Sequence, residues 1–129
     1  MTALVDRIVS ETGRIDVLVN NAGYGSYGAV EDVALDEARR QFEVNALGPL
    51  RVAQALLGRL GDGAMIGIVT SRMGSVADNG SGGSYGYRAS KAAVNAIGKS
   101  LAVDLQPRGR PSTPSCSWST STRTAAATW

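Results

Sequence analysis

Residues 15–23, Ile15-Asp16-Val17-Leu18-Val19-Asn20-Asn21-Ala22-Gly23, decide how the rest of the chain reads. The first six are few, rich in β-branched side chains and bounded by Gly13 and Gly23, the pattern of a buried parallel strand. Upstream, Leu4, Val5, Ile8 and Val9 recur at helical spacing within residues 2–12, and Gly13 is placed to stop that helix. Downstream, a loop rich in glycine and tyrosine leads to a helical stretch from Leu35-Asp36 to about Leu60, with Asp36 as the expected N-cap. Gly61-Asp62-Gly63 predicts a turn and Ala64 to Val69 a second buried strand. A polar loop runs from Thr70 to Ser84, and a third helix extends from Tyr85 to about Leu105, with Pro107 ending it. Helices alternating with strands predict an α/β architecture with a parallel sheet covered on both faces. Two strands leave such a sheet incomplete, so the chain reads as part of a domain.

Composition narrows the function. The 129 residues are 43% hydrophobic and 19% charged, as in a globular protein. No apolar run approaches the roughly 20 residues of a membrane span, and residues 1–12 lack a secretory layout, so the expected location is cytoplasmic, without membrane partners. The single cysteine, Cys116, excludes an internal disulfide, and the absence of histidine excludes the usual zinc sites and every histidine base. The net charge of +2 is unevenly placed: residues 1–107 hold ten Lys/Arg against eleven Asp/Glu, while residues 108–129 hold three Arg and no acid. Three arginines without interleaved stacking aromatics make a thin footprint, so no nucleic-acid partner is expected. Residues 108–129 contain ten Ser or Thr and no Val, Ile, Leu, Phe or Met, so they read as a disordered tail.

The chemistry centres on Tyr87-Arg88-Ala89-Ser90-Lys91. Tyr87 and Lys91 stand at i and i+4, one helical turn apart on one face. A free tyrosine, with a pKa of about 10, is a poor proton carrier at neutral pH; a neighbouring ammonium stabilises the phenolate and makes it usable. The strand ending at Val69 delivers Thr70-Ser71 to the C-terminal sheet edge, where open α/β sheets bind ligands. A Ser71 hydroxyl there could hydrogen-bond a substrate oxygen as charge develops on it.

Taken in order, Asn20-Asn21-Ala22-Gly23 after a strand, Asn45 within a helix, Ser71 after the next strand, then Tyr87 and Lys91, resemble the short-chain dehydrogenase/reductase family across roughly residues 3–107. Met73-Gly74-Ser75, residues 81–87 and residues 89–95 resemble one subgroup with an extended loop before the tyrosine. The resemblance implies a partial Rossmann-like, doubly wound parallel sheet flanked by helices, and hydride transfer between NAD or NADP and a small-molecule carbonyl or alcohol. It implies that Tyr87 is the general acid in reduction and the base in oxidation, that Lys91 also holds the nicotinamide ribose, and that Ser71 orients the substrate oxygen. Asn45 would interrupt its helix and hold a water linking Lys91 to solvent. Asn20, Ala22 and Gly23 would line the cofactor cleft together with Tyr87 and Lys91. Serine and tyrosine usually stand about 13 positions apart in the family, so keeping Ser71 requires a three-residue insertion; Ser75 is the runner-up.

Gly23-Tyr24-Gly25-Ser26-Tyr27-Gly28 matches the dinucleotide fingerprint G-x-G-x-x-G literally. It is set aside because residues 29–33 intervene before a helix and bring Glu31 and Asp32 to where phosphate would sit; the loop reads instead as the substrate side of the cleft. The family's threonine-glycine phosphate turn is not among the 129 residues, so the chain alone is expected to bind NAD(P) weakly. The abrupt Ser/Thr/Arg composition after residue 107 suggests a frame shift or a truncated gene model. The competing reading is a non-enzymatic remnant that pairs as an oligomer through helices 36–60 and 85–105, whose small-residue face carries Ala89, Ala92, Ala93 and Ala96.

Overall fold

The computed structural model describes residues 2–105. Pro107, Cys116 and the tail expected from residue 108 lie outside that range. In chain order the elements are α1 (Thr2–Thr12), β1 (Ile15–Asn20), α2 (Leu35–Phe42), α3 (Gly48–Leu56), β2 (Leu60–Ile68) and α4 (Tyr85–Leu105). A π-turn over Glu43–Leu47 joins α2 to α3, and short 3-10 turns stand at Val30–Asp32, Leu57–Arg59 and Arg72–Gly74. This is a partial α/β Rossmann arrangement, the class expected from the alternation of elements.

Local chemistry accounts for the boundaries. Gly13 ends α1 at φ +82°, a conformation that costs glycine no Cβ clash, and its N–H donates to the Val9 carbonyl at 2.8 Å. The helix after the tyrosine loop begins at Leu35, two residues earlier than a cap at Asp36 predicts. Ala34 is the flanking residue, and Asp36 lies inside the first turn, where its carboxylate meets Arg39 Nη1 at 2.7 Å rather than a backbone amide. An anion there still complements the helix dipole.

The strands pair in parallel, Val17 opposite Met65, Leu18 opposite Ile66, Val19 opposite Gly67 and Asn20 opposite Ile68. The expected turn at residues 61–63 is instead a bulge inside β2. The strand pairs first at Leu60 opposite Ile15, swings out through Gly63 at φ +76°, and re-pairs at Met65.

The core lies between the sheet and the helices that follow β1. Leu60, Ala64, Ile66 and Ile68 of β2 meet Ala46 of the π-turn, Ala53 of α3, and Val94 and Leu105 of α4. Alanines at 46 and 53 are small enough to let helix backbone approach the strand. Along the strands of the described residues burial alternates, with Ile66 at 3% exposure and Met65 at 45%, and Val17 and Val19 exposed. One face is therefore packed and the other is open, as the two-residue period of a strand allows.

That asymmetry is measurable in urea. Ile66→Ala should cost about 2–5 kcal/mol of unfolding free energy, a large share of a small domain's stability. Met65→Ala, one residue away on the open face, should cost about 0.5 kcal/mol or less; equal losses would contradict the packing described.

Candidate active site

β2 carries the chain to Val69, whose N–H donates to the Asn20 carbonyl at 2.9 Å and so aligns the two strand ends. Thr70 and Ser71 follow. Ser71, in extended conformation, caps the 3-10 turn Arg72–Gly74, and its Oγ accepts from Met73 N at 3.2 Å. That turn lies directly against α4: a Cβ on Gly74 would stand 2.8 Å from the Lys91 carbonyl carbon and 2.9 Å from its oxygen, so no larger residue fits without moving α4 or the turn. Thr70 Oγ1 donates to Asn95 Oδ1 at 2.5 Å, one turn beyond Lys91. The end of β2 is thus fastened to α4 on both sides of Ser71, and the longer Ser-to-Tyr interval leaves that contact in place. Ser75 stands at the far end of the same turn, where its Oγ accepts from Asp78 N at 3.3 Å.

On α4, Lys91 is 5% exposed, and its Nζ donates to the Val69 carbonyl at 3.0 Å. The ammonium stands 5.8 Å from the centre of the Tyr87 ring, so the pair expected from the i, i+4 spacing is assembled. Burial lowers the Lys91 pKa from its ordinary value of 10.5, because the charged form loses hydration there. Tyr24, on the loop after β1, has its phenol raised above the ordinary 10.0, by partial loss of hydration first and then by the neighbouring Glu37 carboxylate.

Asn45 lies in the middle of the π-turn and is buried. Its Oδ1 accepts from Tyr24 N at 3.0 Å, while Nδ2 donates to the Tyr24 carbonyl at 2.8 Å and to Ser90 Oγ at 3.1 Å. Ser90, also buried, donates to the Tyr87 carbonyl at 2.8 Å. The helix is interrupted at Asn45 as expected, and the side chain clamps the loop after β1 to the turn of α4 that bears the phenol. Ser90 and Asn95 were missed in the sequence, and so was the buried Gln41, whose Oε1 accepts from Ser26 N at 3.3 Å. The partners that tie them to other elements lie 15 or more positions away, beyond the reach of any local pattern.

Two observations bear on a nucleotide cofactor. Asn20 Nδ2 is a buried donor without a hydrogen-bond partner among the described residues. Gly23 lets the backbone approach the Asn45 amide and the Lys91 ammonium closely: a Cβ there would stand 3.0 Å from Asn45 Oδ1 and 3.5 Å from Lys91 Nζ. An unsatisfied donor at the strand end and a cation approached by backbone without a side chain fit a polyhydroxylated ligand. Ala22 lies exposed in the segment between Asn20 and Gly23, and Gly28 leads into only a 3-10 turn at Val30–Asp32, so the G-x-G-x-x-G run does not open a helix.

Residues 1–110 match a protein-family model described as Enoyl-(Acyl carrier protein) reductase. Among curated proteins, the chain is 52% identical over 101 residues to "C-signal" of Myxococcus xanthus, covering 76% of this chain and 61% of that protein. It is 44% identical over 107 residues to 1-hydroxy-2-glutathionyl-2-methyl-3-butene dehydrogenase of Rhodococcus sp. strain AD45, covering 83% of this chain and 47% of that one. Among solved structures, the carbonyl reductase Sniffer of D. melanogaster superimposes with a TM-score of 0.79 at 33% identity, over 84% of this chain and 50% of the other. A short chain dehydrogenase from Burkholderia cenocepacia J2315 in complex with NADP gives a TM-score of 0.74 at 35% identity, over 84% and 43%. The chain spans about half the length of most of these proteins.

Two measurements check the site. Removing the clamp with Asn45→Ala strands the Tyr24 amide and carbonyl, and should cost about 2–3 kcal/mol in urea unfolding; a loss under about 0.5 kcal/mol would contradict the clamp. With only two lysines in the sequence, a 13C titration of the Lys91 ε-carbon is readily assigned and should show a pKa below 10.5. Because the folded value is the lower one, the unfolded chain binds more protons between the two values, and stability should rise with pH across that window. A Lys91 pKa at or above 10.5 would contradict its burial.

Proposed function

The chain belongs to the short-chain dehydrogenase/reductase family, and on that footing we propose that it moves a hydride between NAD or NADP and a carbonyl/alcohol pair, with Tyr87 as the proton carrier. The observation that carries the reading is the Tyr87–Lys91 pair, phenol ring and ammonium 5.8 Å apart, on the helix turns that abut the Ser71 strand end. Similar structures in complex with NADP or NADPH support the cofactor class.

A bound nicotinamide nucleotide supplies the hydride in reduction and accepts it in oxidation. This chain's residues handle the oxygen and its proton. In reduction the Tyr87 hydroxyl gives its proton to the carbonyl oxygen as that oxygen gains negative charge, and the Ser71 hydroxyl donates a hydrogen bond to the same atom. In oxidation the Tyr87 oxygen takes the alcohol proton back. Lys91 has three donors, of which the Val69 carbonyl takes one. Those remaining would hold ribose hydroxyls, while the charge favours the phenolate that follows proton release. Asn20, Ala22 and Gly23 would line the cofactor beside them. Asn45 keeps that segment and the phenol in register through Tyr24 and Ser90, and we retain it in the catalytic set with Ser71, Tyr87 and Lys91.

The exposed Val17 and Val19, together with the small residues Ala89 and Ala96 exposed on α4, favour a second reading, a module that pairs with another copy. No helix among the described residues is long and apolar enough to cross a membrane.

Hydride transfer separates the two readings. With NADPH and a ketone panel, Tyr87→Phe should lower the rate of the full chain by about 10²–10⁴-fold while leaving its circular dichroism unchanged. Equal rates for parent and variant would favour the pairing module.

A further inference from the structure

Tyr27 lies in the loop after β1 that reads as the substrate side of the cleft, and its side chain has no role in the chemistry assigned above. An exposed tyrosine on a surface loop is ordinarily mobile decoration, but the backbone around this one is tied on both sides. Tyr24 is held by both polar atoms of the buried Asn45 amide, Ser26 N donates to the buried Gln41, and the Gly28 carbonyl accepts from Ser84 N at 3.2 Å. Ser84 itself immediately precedes α4 and adopts φ +53°, an uncommon conformation for a residue other than glycine. The segment bearing Tyr27 is thereby fixed to the same helix end that carries Tyr87.

The side chain is used differently. Tyr27 is 71% exposed, so its ring contributes little to the core. It folds back until its ring centre is 6.2 Å from that of Tyr87, the two planes tilted by 49°. Gly25 makes this possible: a Cβ there would lie 2.9 Å from Tyr27 Oη and 3.2 Å from Tyr87 Cδ2, so both rings converge over a backbone with no side chain of its own. A fixed mount, a glycine cleared beneath it and a solvent-facing aromatic ring beside the proton carrier together form a recognition surface.

We infer that Tyr27 is a specificity-determining residue that favours carbonyl substrates with a flat ring attached to the reacting carbon. Resting on the dehydrogenase reading for its chemistry, the inference adds a substrate class. An oxygen that reaches the Tyr87 hydroxyl brings its carbon's substituents into the surroundings of that ring, of which the exposed Tyr27 ring, 6.2 Å away centre to centre, is part. Aromatic faces attract flat rings at centroid separations of about 4.5–7 Å in stacked or tilted geometry, whereas a flexible alkyl chain gains only contact area and loses rotamer freedom. Tyr27 and Tyr87 already stand at such a separation from one another, so a substrate ring entering beside them meets aromatic surface without rearrangement of the loop.

The test uses the full chain and two methyl ketones of equal carbon number, acetophenone and 2-octanone, titrated against protein with isotope-labelled tyrosine rings. Binding is read from ring proton shifts, so it does not depend on turnover; a failed hydride-transfer assay would remove the dehydrogenase reading without deciding this one. Acetophenone should shift the Tyr27 and Tyr87 rings and bind about fivefold more tightly than 2-octanone. Tyr27→Phe, which keeps the ring, should preserve that ratio, and Tyr27→Ala should bring it to about one. Gly25→Ala, which displaces the Tyr27 ring without deleting it, should shrink the ratio as well. A preference that survives Tyr27→Ala, or an acetophenone titration that leaves the Tyr27 ring unshifted, would overturn the inference.

Discussion

The seating of α4 against the C-terminal end of β2 is the constraint on which the remaining features depend. Three contacts make it: Lys91 Nζ on the Val69 carbonyl, the Thr70 hydroxyl on Asn95, and Gly74 pressed on the Lys91 backbone. Ser71 sits between the first two and the third, so its position follows from packing and not from the length of the loop that reaches Tyr87. A buried lysine usually destabilises a fold, because its charge gives up water. Here the backbone carbonyl at the strand end recovers part of that loss, and the remaining cost leaves a partly desolvated cation beside a phenol. Stability is given up where chemistry would gain from it.

A second layer of contacts holds the loop after β1 to this seat. Asn45 reaches across the sheet edge to Tyr24 and to Ser90, and can do so because the π-turn widens the helix at that point and directs the amide inward. The buried amide has partners for its acceptor and for its donor, which is the condition under which a polar group adds specificity to a core rather than weakening it. Gln41 and Ser84 extend the same scheme to Ser26 and Gly28. The result is a loop with a fixed backbone and exposed side chains, suited to recognition.

Much of this was legible in the sequence where the signal is local. Glycine 13, the β-branched run at 15–20 and the i, i+4 pair on α4 each carry their meaning within a few residues, and the structure has α1, β1 and α4 at the expected bounds. The family pattern added Asn45 and Ser71, which lie on the expected elements. What was not legible depends on distant partners. The bulge in β2 depends on pairing with Ile15, so Gly61-Asp62-Gly63 read as an ordinary turn. The start of α2 at Leu35, with Ala34 as the flanking residue and no side-chain cap, carries no local cap signal, and Asp36 pairs with Arg39 inside the first turn. Thr70–Asn95 and Asn45–Ser90 join residues 25 and 45 positions apart, and Tyr27 gains significance only from the ring it faces.

The most direct test of the seat is a nuclear Overhauser experiment on the full chain, with lysine and tyrosine selectively labelled so that two lysines and four tyrosines are resolved. The account predicts cross-peaks from the Lys91 side chain both to the Tyr87 ring and to the backbone protons of residues 69 and 70. Lys91 cross-peaks confined to its own helix, with none to Tyr87 or to the strand end, would contradict it.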